Sequence, residues 1–127
     1  MFTTRPEILG TYGVVASTHW LASAVGMGIL ERGGNAFDAA VATDMVLQVC
    51  EPHLCGPAGD LPSIYHDNNL DETKVICGQG VAPAAATISH YRNLGFDMMP
   101  GSGLLATVVP GAFDAWMLML RDHGIMT

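Results

Sequence analysis

Apolar and polar positions alternate between two periods along this chain, and the changes of period mark its elements. Gly13-Val14-Val15-Ala16-Ser17 is a short apolar run bounded by small residues and predicts a strand. Thr18 can cap a helix that begins near His19 and carries Leu21, Ala22, Val25, Ile29 and Leu30 at helical spacing. Gly33 or Gly34 supplies the left-handed residue that ends it. Asn35 then predicts a second N-cap, with Asp38 three residues on as in a capping box. From Ala36 to Val49 only Asp38, Thr43, Asp44 and Gln48 are polar, so this helix is expected to be buried on several sides. Alanines at 36, 39, 40 and 42 let neighbouring elements approach it closely.

Glu51-Pro52 closes the second helix, because a residue before proline avoids the helical region. A loop over residues 53–60 follows. Leu61–His66 and Thr73–Cys77 read as two strands of a hairpin, joined by the turn chemistry of Asp67-Asn68-Asn69. Thr87 caps a short helix over Ile88–Leu94, which Gly95 stops. Phe96–Gly103 is a loop and Ala106–Val109 a short extended stretch. Pro110 opens a last helix. Phe113, Trp116, Met117 and Leu120 form its apolar face, and Gly124 ends it. Residues 1–12 are an irregular lead-in. No repeat, low-complexity segment or linker interrupts the chain, so residues 1–127 are expected to form a single partial domain.

Composition shows why that domain is called partial. Half of the 127 residues are hydrophobic and 13% are charged, and mean hydropathy is +0.33. A chain so apolar either enters a membrane or buries faces against something else. No stretch reaches the roughly 20 uninterrupted apolar residues of a spanning helix, and the start of the chain lacks the apolar centre of a secretory signal. A cytoplasmic protein away from membranes is expected. The net charge of −7 with five Lys and Arg offers no basic patch for phosphates, so nucleic acid is not an expected partner. Three cysteines fit free thiols better than a disulfide framework.

The run Gly33-Gly34-Asn35-Ala36-Phe37-Asp38-Ala39-Ala40 and the loop Glu51-Pro52-His53-Leu54-Cys55-Gly56-Pro57-Ala58-Gly59-Asp60 are the most distinctive features. With Val81-Ala82-Pro83-Ala84-Ala85-Ala86-Thr87 and Val109-Pro110-Gly111-Ala112, they resemble the start of the large subunit of gamma-glutamyltransferases, from Gly13 to Gly124. The resemblance implies an α/β (α+β) fold, the N-terminal portion of the αββα four-layer sandwich of N-terminal-nucleophile (Ntn) hydrolases. It implies an acyl-enzyme formed on a Thr that begins the small subunit, beyond this chain, with the α-amine as base. The catalytic group would then lie outside these residues. The partners implied are the remainder of the large subunit, the small catalytic subunit and a small gamma-glutamyl or amide substrate. No metal or organic cofactor is implied.

The glycine-rich loop, with Gly59 and Asp60, lies near the active site in that family; on spacing alone it reads equally as a turn between helix and strand. Gln79 carries the sharpest departure. In classical gamma-glutamyltransferases an Arg-Glu pair stands three and two residues before the Ala-Pro dipeptide, and the Arg clamps the substrate α-carboxylate. Gln79-Gly80-Val81 precedes Ala82-Pro83 here. A glutamine donates a neutral hydrogen bond instead of a charged fork. Gln79 is therefore a substrate-binding candidate for a different acyl donor, which points to an acylase or amidase branch; its other reading is an exposed loop residue. The cluster Cys50-His53-Cys55 matches no zinc spacing, and its cysteines read as inert thiols. A non-catalytic α/β binding module or a family remnant is the alternative from another functional class.

Overall fold

The computed structural model describes residues 7–126. The lead-in expected over residues 1–12 lies outside the described residues as far as residue 6. The chain folds as mixed helix and sheet: α1 (Trp20–Glu31), α2 (Ala36–Cys50), β1 (Leu61–Asp67), β2 (Glu72–Gly78), α3 (Ile88–Asn93), a 3₁₀ turn (Leu104–Ala106) and α4 (Ala112–His123). It divides into two compact units. One holds the chain up to Cys55 and from Met119 on; the other spans Gly56–Leu118.

In the first unit, α1 packs on α2 where the residues are small. A Cβ built on Gly26 would stand 2.1 Å from Thr43 Oγ1 and 3.3 Å from Ala39 O. Ala22, Ala39, Val41 and Thr43 are buried. The Thr43 hydroxyl is satisfied by donating to Ala39 O at 2.7 Å. α2 was expected to be buried on several sides, yet Val49 near its end is 81% exposed. The run 13–17 forms no strand. Its apolar residues answer to helix packing instead: Val15 Cγ1 would stand 2.9 Å from a Cβ on Gly26.

α1 starts on a different cap from the one its sequence suggests. The ring Nδ1 of His19 accepts from Leu21 N at 3.2 Å, while Thr18 donates its hydroxyl to the Glu51 carboxylate. The helix begins at Trp20, so Thr18 stands one residue outside the capping position and its hydroxyl is turned to the carboxylate. Gly33, at φ 92°, ends the helix, and Gly34 N donates back to Ile29 O at 3.0 Å. α2 opens on the expected capping box. Asn35 Oδ1 accepts from Phe37 N and Asp38 N at 2.9 and 3.0 Å, and Asp38 Oδ2 accepts from Asn35 N at 3.0 Å. Asn35→Ala is expected to cost about 1–2 kcal/mol in lost capping alone, read as a lower thermal midpoint of the native protein, with Asn35→Ser, which keeps a capping oxygen but not the amide that donates to His123 O, recovering the capping share. A full loss in the Ser variant would show that the cap is not the cause.

In the second unit, β1 and β2 pair antiparallel from Leu61↔Gly78 to Asp67↔Glu72. Asp67 Oδ1 accepts from Asn69 N at 2.9 Å in the turn, and Asp71 takes φ 52°. β1 begins at Leu61 as expected and ends one residue later than its apolar run, and β2 runs one residue further at both ends, because the backbone ladder continues past the runs. Cross-strand partners Ile64 and Val75 share an exposed face. Thr87 caps α3 by accepting from His90 N at 3.2 Å, and Gly95 follows at φ 85°. Tyr91, buried, donates to Leu105 O at 2.6 Å. The stretch expected to be extended from Ala106 on begins in the 3₁₀ turn and straightens only at Thr107.

α4 corrects two expectations. It begins at Ala112, after Pro110, because the carbonyl of Gly59 accepts from both Gly111 N (3.3 Å) and Ala112 N (3.1 Å). Its buried positions are Ala112, Ala115, Trp116 and Met119, at the i, i+3, i+4, i+7 spacing of one face. Phe113 and Met117, expected on that face, are 52% and 37% exposed. Trp116 is buried as expected, whereas Ala112, Ala115 and Met119 take the rest of the close-packed side.

Candidate functional site

Three backbone segments of the second unit converge: the end of β2 with residues 79–81, the stretch before α4, and the loop at Gly56–Asp60. Gly78 is buried, and a Cβ on it would stand 2.5 Å from Ala115 Cβ and 3.2 Å from Gly111 O. Val109 N donates to Val81 O at 2.9 Å. Gly80 holds φ +73°, and a Cβ there would meet Val109 O at 1.9 Å, so only glycine fits. A cavity of about 270 Å³ opens among Ile76, Cys77, Gly80, Val81, Val109 and Asp114.

Gln79 is exposed. It does not line the cavity, though Gly78 and Gly80 on either side of it do. The Cys77 thiol donates to Gln79 Oε1 at 3.5 Å, which leaves the amide Nε2–H₂ as the outward donor. Gly59 lies in a turn closed by Gly59 N→Gly56 O at 3.0 Å. Its carbonyl is occupied by the start of α4, so this residue serves the helix as a backbone cap. Asp60 is exposed. Asp114 was not singled out from the sequence, and Val109 stood there only as part of the run Val109-Pro110-Gly111-Ala112, with no site role; the signal available for Asp114 was that run's approach to a helix start.

Cys55 shows the opposite of nucleophile activation. Cys55 has its pKa pushed up, first by burial and then by the negative charges of Asp44 and Glu51. A raised pKa keeps the thiol protonated through neutral pH, the opposite of what a nucleophile needs. Alkylation of Cys55 by iodoacetamide is expected to keep accelerating with pH beyond the ordinary thiol range, and Glu51→Gln to move that profile down. A Cys55 half-rate at or below neutral pH would contradict the assignment. Among the described residues, no group of three His, Cys, Asp or Glu side chains could hold a metal ion. No helix among them is long and apolar enough to cross a membrane.

The mixed helix-and-sheet arrangement is that of the Ntn-hydrolase class. The gamma-glutamyltranspeptidase family model matches residues 22–127, and the chain belongs to that family. It is 38% identical over 119 residues to the glutathione hydrolase-like YwrD proenzyme of Bacillus subtilis, covering 93% of this chain and 22% of that one. It is 35% identical over 127 residues to the acylase ACY 1 proenzyme of Pseudomonas sp. strain SE83, covering 92% and 22%. Among solved structures, LmbA2991HD superposes with a TM-score of 0.90 at 61% identity, over 99% of this chain and 22% of that one. Gamma-glutamyltranspeptidase of Helicobacter pylori superposes with a TM-score of 0.85 at 32% identity, over 96% and 36%. The chain thus spans about a fifth of the length of the curated relatives it matches.

Proposed function

We propose that these residues are the N-terminal part of the large subunit of an Ntn hydrolase that cleaves or transfers a gamma-glutamyl or related acyl group. The observation that carries this reading is the family match over residues 22–127. The acyl-enzyme forms on an N-terminal Thr outside this chain, whose own α-amine serves as base. Its partners are the remainder of the large subunit and the small catalytic subunit. This chain contributes part of the substrate wall, with Gln79 as the donor toward the acyl group and the Gly59-Asp60 turn beside it. Alone it does not turn over substrate.

The intact mass of the native protein tests the first half. Two subunits, the smaller starting at Thr, Ser or Cys, support the reading; a single unprocessed chain with full activity overturns it.

A second reading within the same fold is an acylase or amidase whose donor lacks a free α-carboxylate. Gln79 favours it, since a neutral amide cannot form a charged clamp. Hydrogen bonds to charged groups are worth about 1.5–3 kcal/mol, so Gln79→Arg is expected to raise kcat/KM on gamma-glutamyl-p-nitroanilide by about 10–100-fold. Activity on the native donor should fall in the same variant. If Gln79→Arg leaves both unchanged, Gln79 does not touch substrate.

A further inference from the structure

The start of α2 and the end of α4 belong to the same unit and are joined through one carboxylate. Asp38 is 5% exposed. Its Oδ2 accepts from Asn35 N at 3.0 Å and from Ile125 N at 3.2 Å. Its Oδ1 accepts from Met126 N at 3.5 Å, the outer limit of such a bond. Asn35 completes the joint from the other side, donating Nδ2–H to His123 O at 2.6 Å, and the Phe37 and His123 rings stack with centroids 4.5 Å apart. No space is left over. A Cβ on Gly124 would meet Leu120 O at 2.6 Å and Asp38 Oδ1 at 2.9 Å, and one on Gly34 would meet Met126 Sδ at 2.7 Å.

Two roles therefore fall on the same atoms. Asp38 closes the capping box of α2 and also receives the N–H groups of the segment leaving α4. Asn35 caps α2 and also satisfies a carbonyl in the last turn of α4. The positive end of one helix dipole meets the negative end of the other through these side chains. A buried carboxylate that loses some of its donors is left undersatisfied at a cost, so neither half opens cheaply while the other stays closed.

We propose that residues 34–38 and 123–126 form a strap that opens and closes as a single unit, fastened by Asp38 and Asn35. The strap sets the course of the chain leaving α4, and it does so independently of the substrate assignment above.

Native-state hydrogen exchange on the native protein, resolved to single amides, tests this. The amides of Asn35, Ile125 and Met126 are expected to share one opening free energy and one denaturant dependence, within about threefold in protection. Protection that differs by about a hundredfold between Asn35 and Ile125 overturns the proposal. A substitution on the far side adds the reciprocal arm. Gly124→Val changes no residue of α2, and the side chain it adds presses on Leu120 O and Asp38 Oδ1 from the α4 side, so it is expected to lower protection at Asn35 by at least about tenfold, because coupling is mutual. The β1–β2 amides report whether the fold persists. If those amides hold while Gly124→Val exposes Ile125 and leaves Asn35 protected, the two ends are independent and the strap is refuted. Should Gly124→Val unfold the protein, the comparison in the unsubstituted protein decides alone.

Discussion

Trp116→Ala is expected to lower the stability of the native protein by about 3–5 kcal/mol. The indole is 3% exposed on the buried face of α4 and meets Phe113 edge to face at 6.5 Å. Truncation removes the largest side chain of that face and leaves a void that neighbouring alanines cannot fill. The indole N–H has no hydrogen-bond partner among the described residues, so its burial is held by apolar contact alone. Trp116→Phe keeps most of that contact and removes an unsatisfied donor worth about 1–3 kcal/mol. It should therefore cost far less than the alanine variant. Urea unfolding followed by far-UV circular dichroism checks both. Equal losses in the two variants would mean that the indole N–H has an acceptor after all.

Two glycines of α1 are expected to respond with opposite signs. Gly→Ala inside a helix ordinarily stabilises by about 1 kcal/mol. Nothing lies within 4 Å of a Cβ on Gly28, so Gly28→Ala should gain up to about that amount. At Gly26 the new methyl would overlap the Thr43 hydroxyl and crowd Val15 and Ala39, and α1 must move off α2. Overpacking of this kind costs about 1–3 kcal/mol and exceeds the propensity gain; Gly26→Val should cost about 3 kcal/mol or more. Thr43→Ala removes the overlapping oxygen, so it should partly rescue Gly26→Ala and couple to it in a double-mutant cycle. Thermal midpoints of the four proteins measure the coupling. Strict additivity would show that the helices do not meet at this point.

The candidate site was only half legible in the chain. Gln79 stands out because the resemblance leads one to expect a charged residue where the chain has a neutral amide. Gly59 reads as a residue whose backbone could approach a ligand, whereas its carbonyl is committed to Gly111 and Ala112. Nothing near Gly59 in sequence announces that, since the acceptor and its donors come together only when the loop folds against the start of α4. Asp114 escaped notice for the same reason: its place beside Gly80 and Val109 depends on a turn that only glycine at φ +73° permits.

Local chemistry alone determined the helix ends that rest on caps within a few residues. Asn35 with Asp38, Thr87 with His90, Gly33 and Gly95 carry their own partners or their own backbone freedom, so the sequence suffices. The hairpin was legible for the same reason, its turn residues lying between two apolar runs. Tertiary structure decided everything that needed a partner far along the chain. The run 13–17 has strand composition but no neighbour to pair with, and it packs on α1 instead. Thr18 has capping chemistry but lies one residue outside the cap, which His19 takes, and it donates its hydroxyl to Glu51, brought near by the helix pair. The buried face of α4 runs through Ala112, Ala115, Trp116 and Met119, because burial follows the side that meets other parts of the fold, and it leaves Phe113 and Met117 exposed. Propensity acts over one turn of chain, whereas burial and hydrogen-bond competition act across the folded unit, and where the two disagree the larger energy of the second prevails.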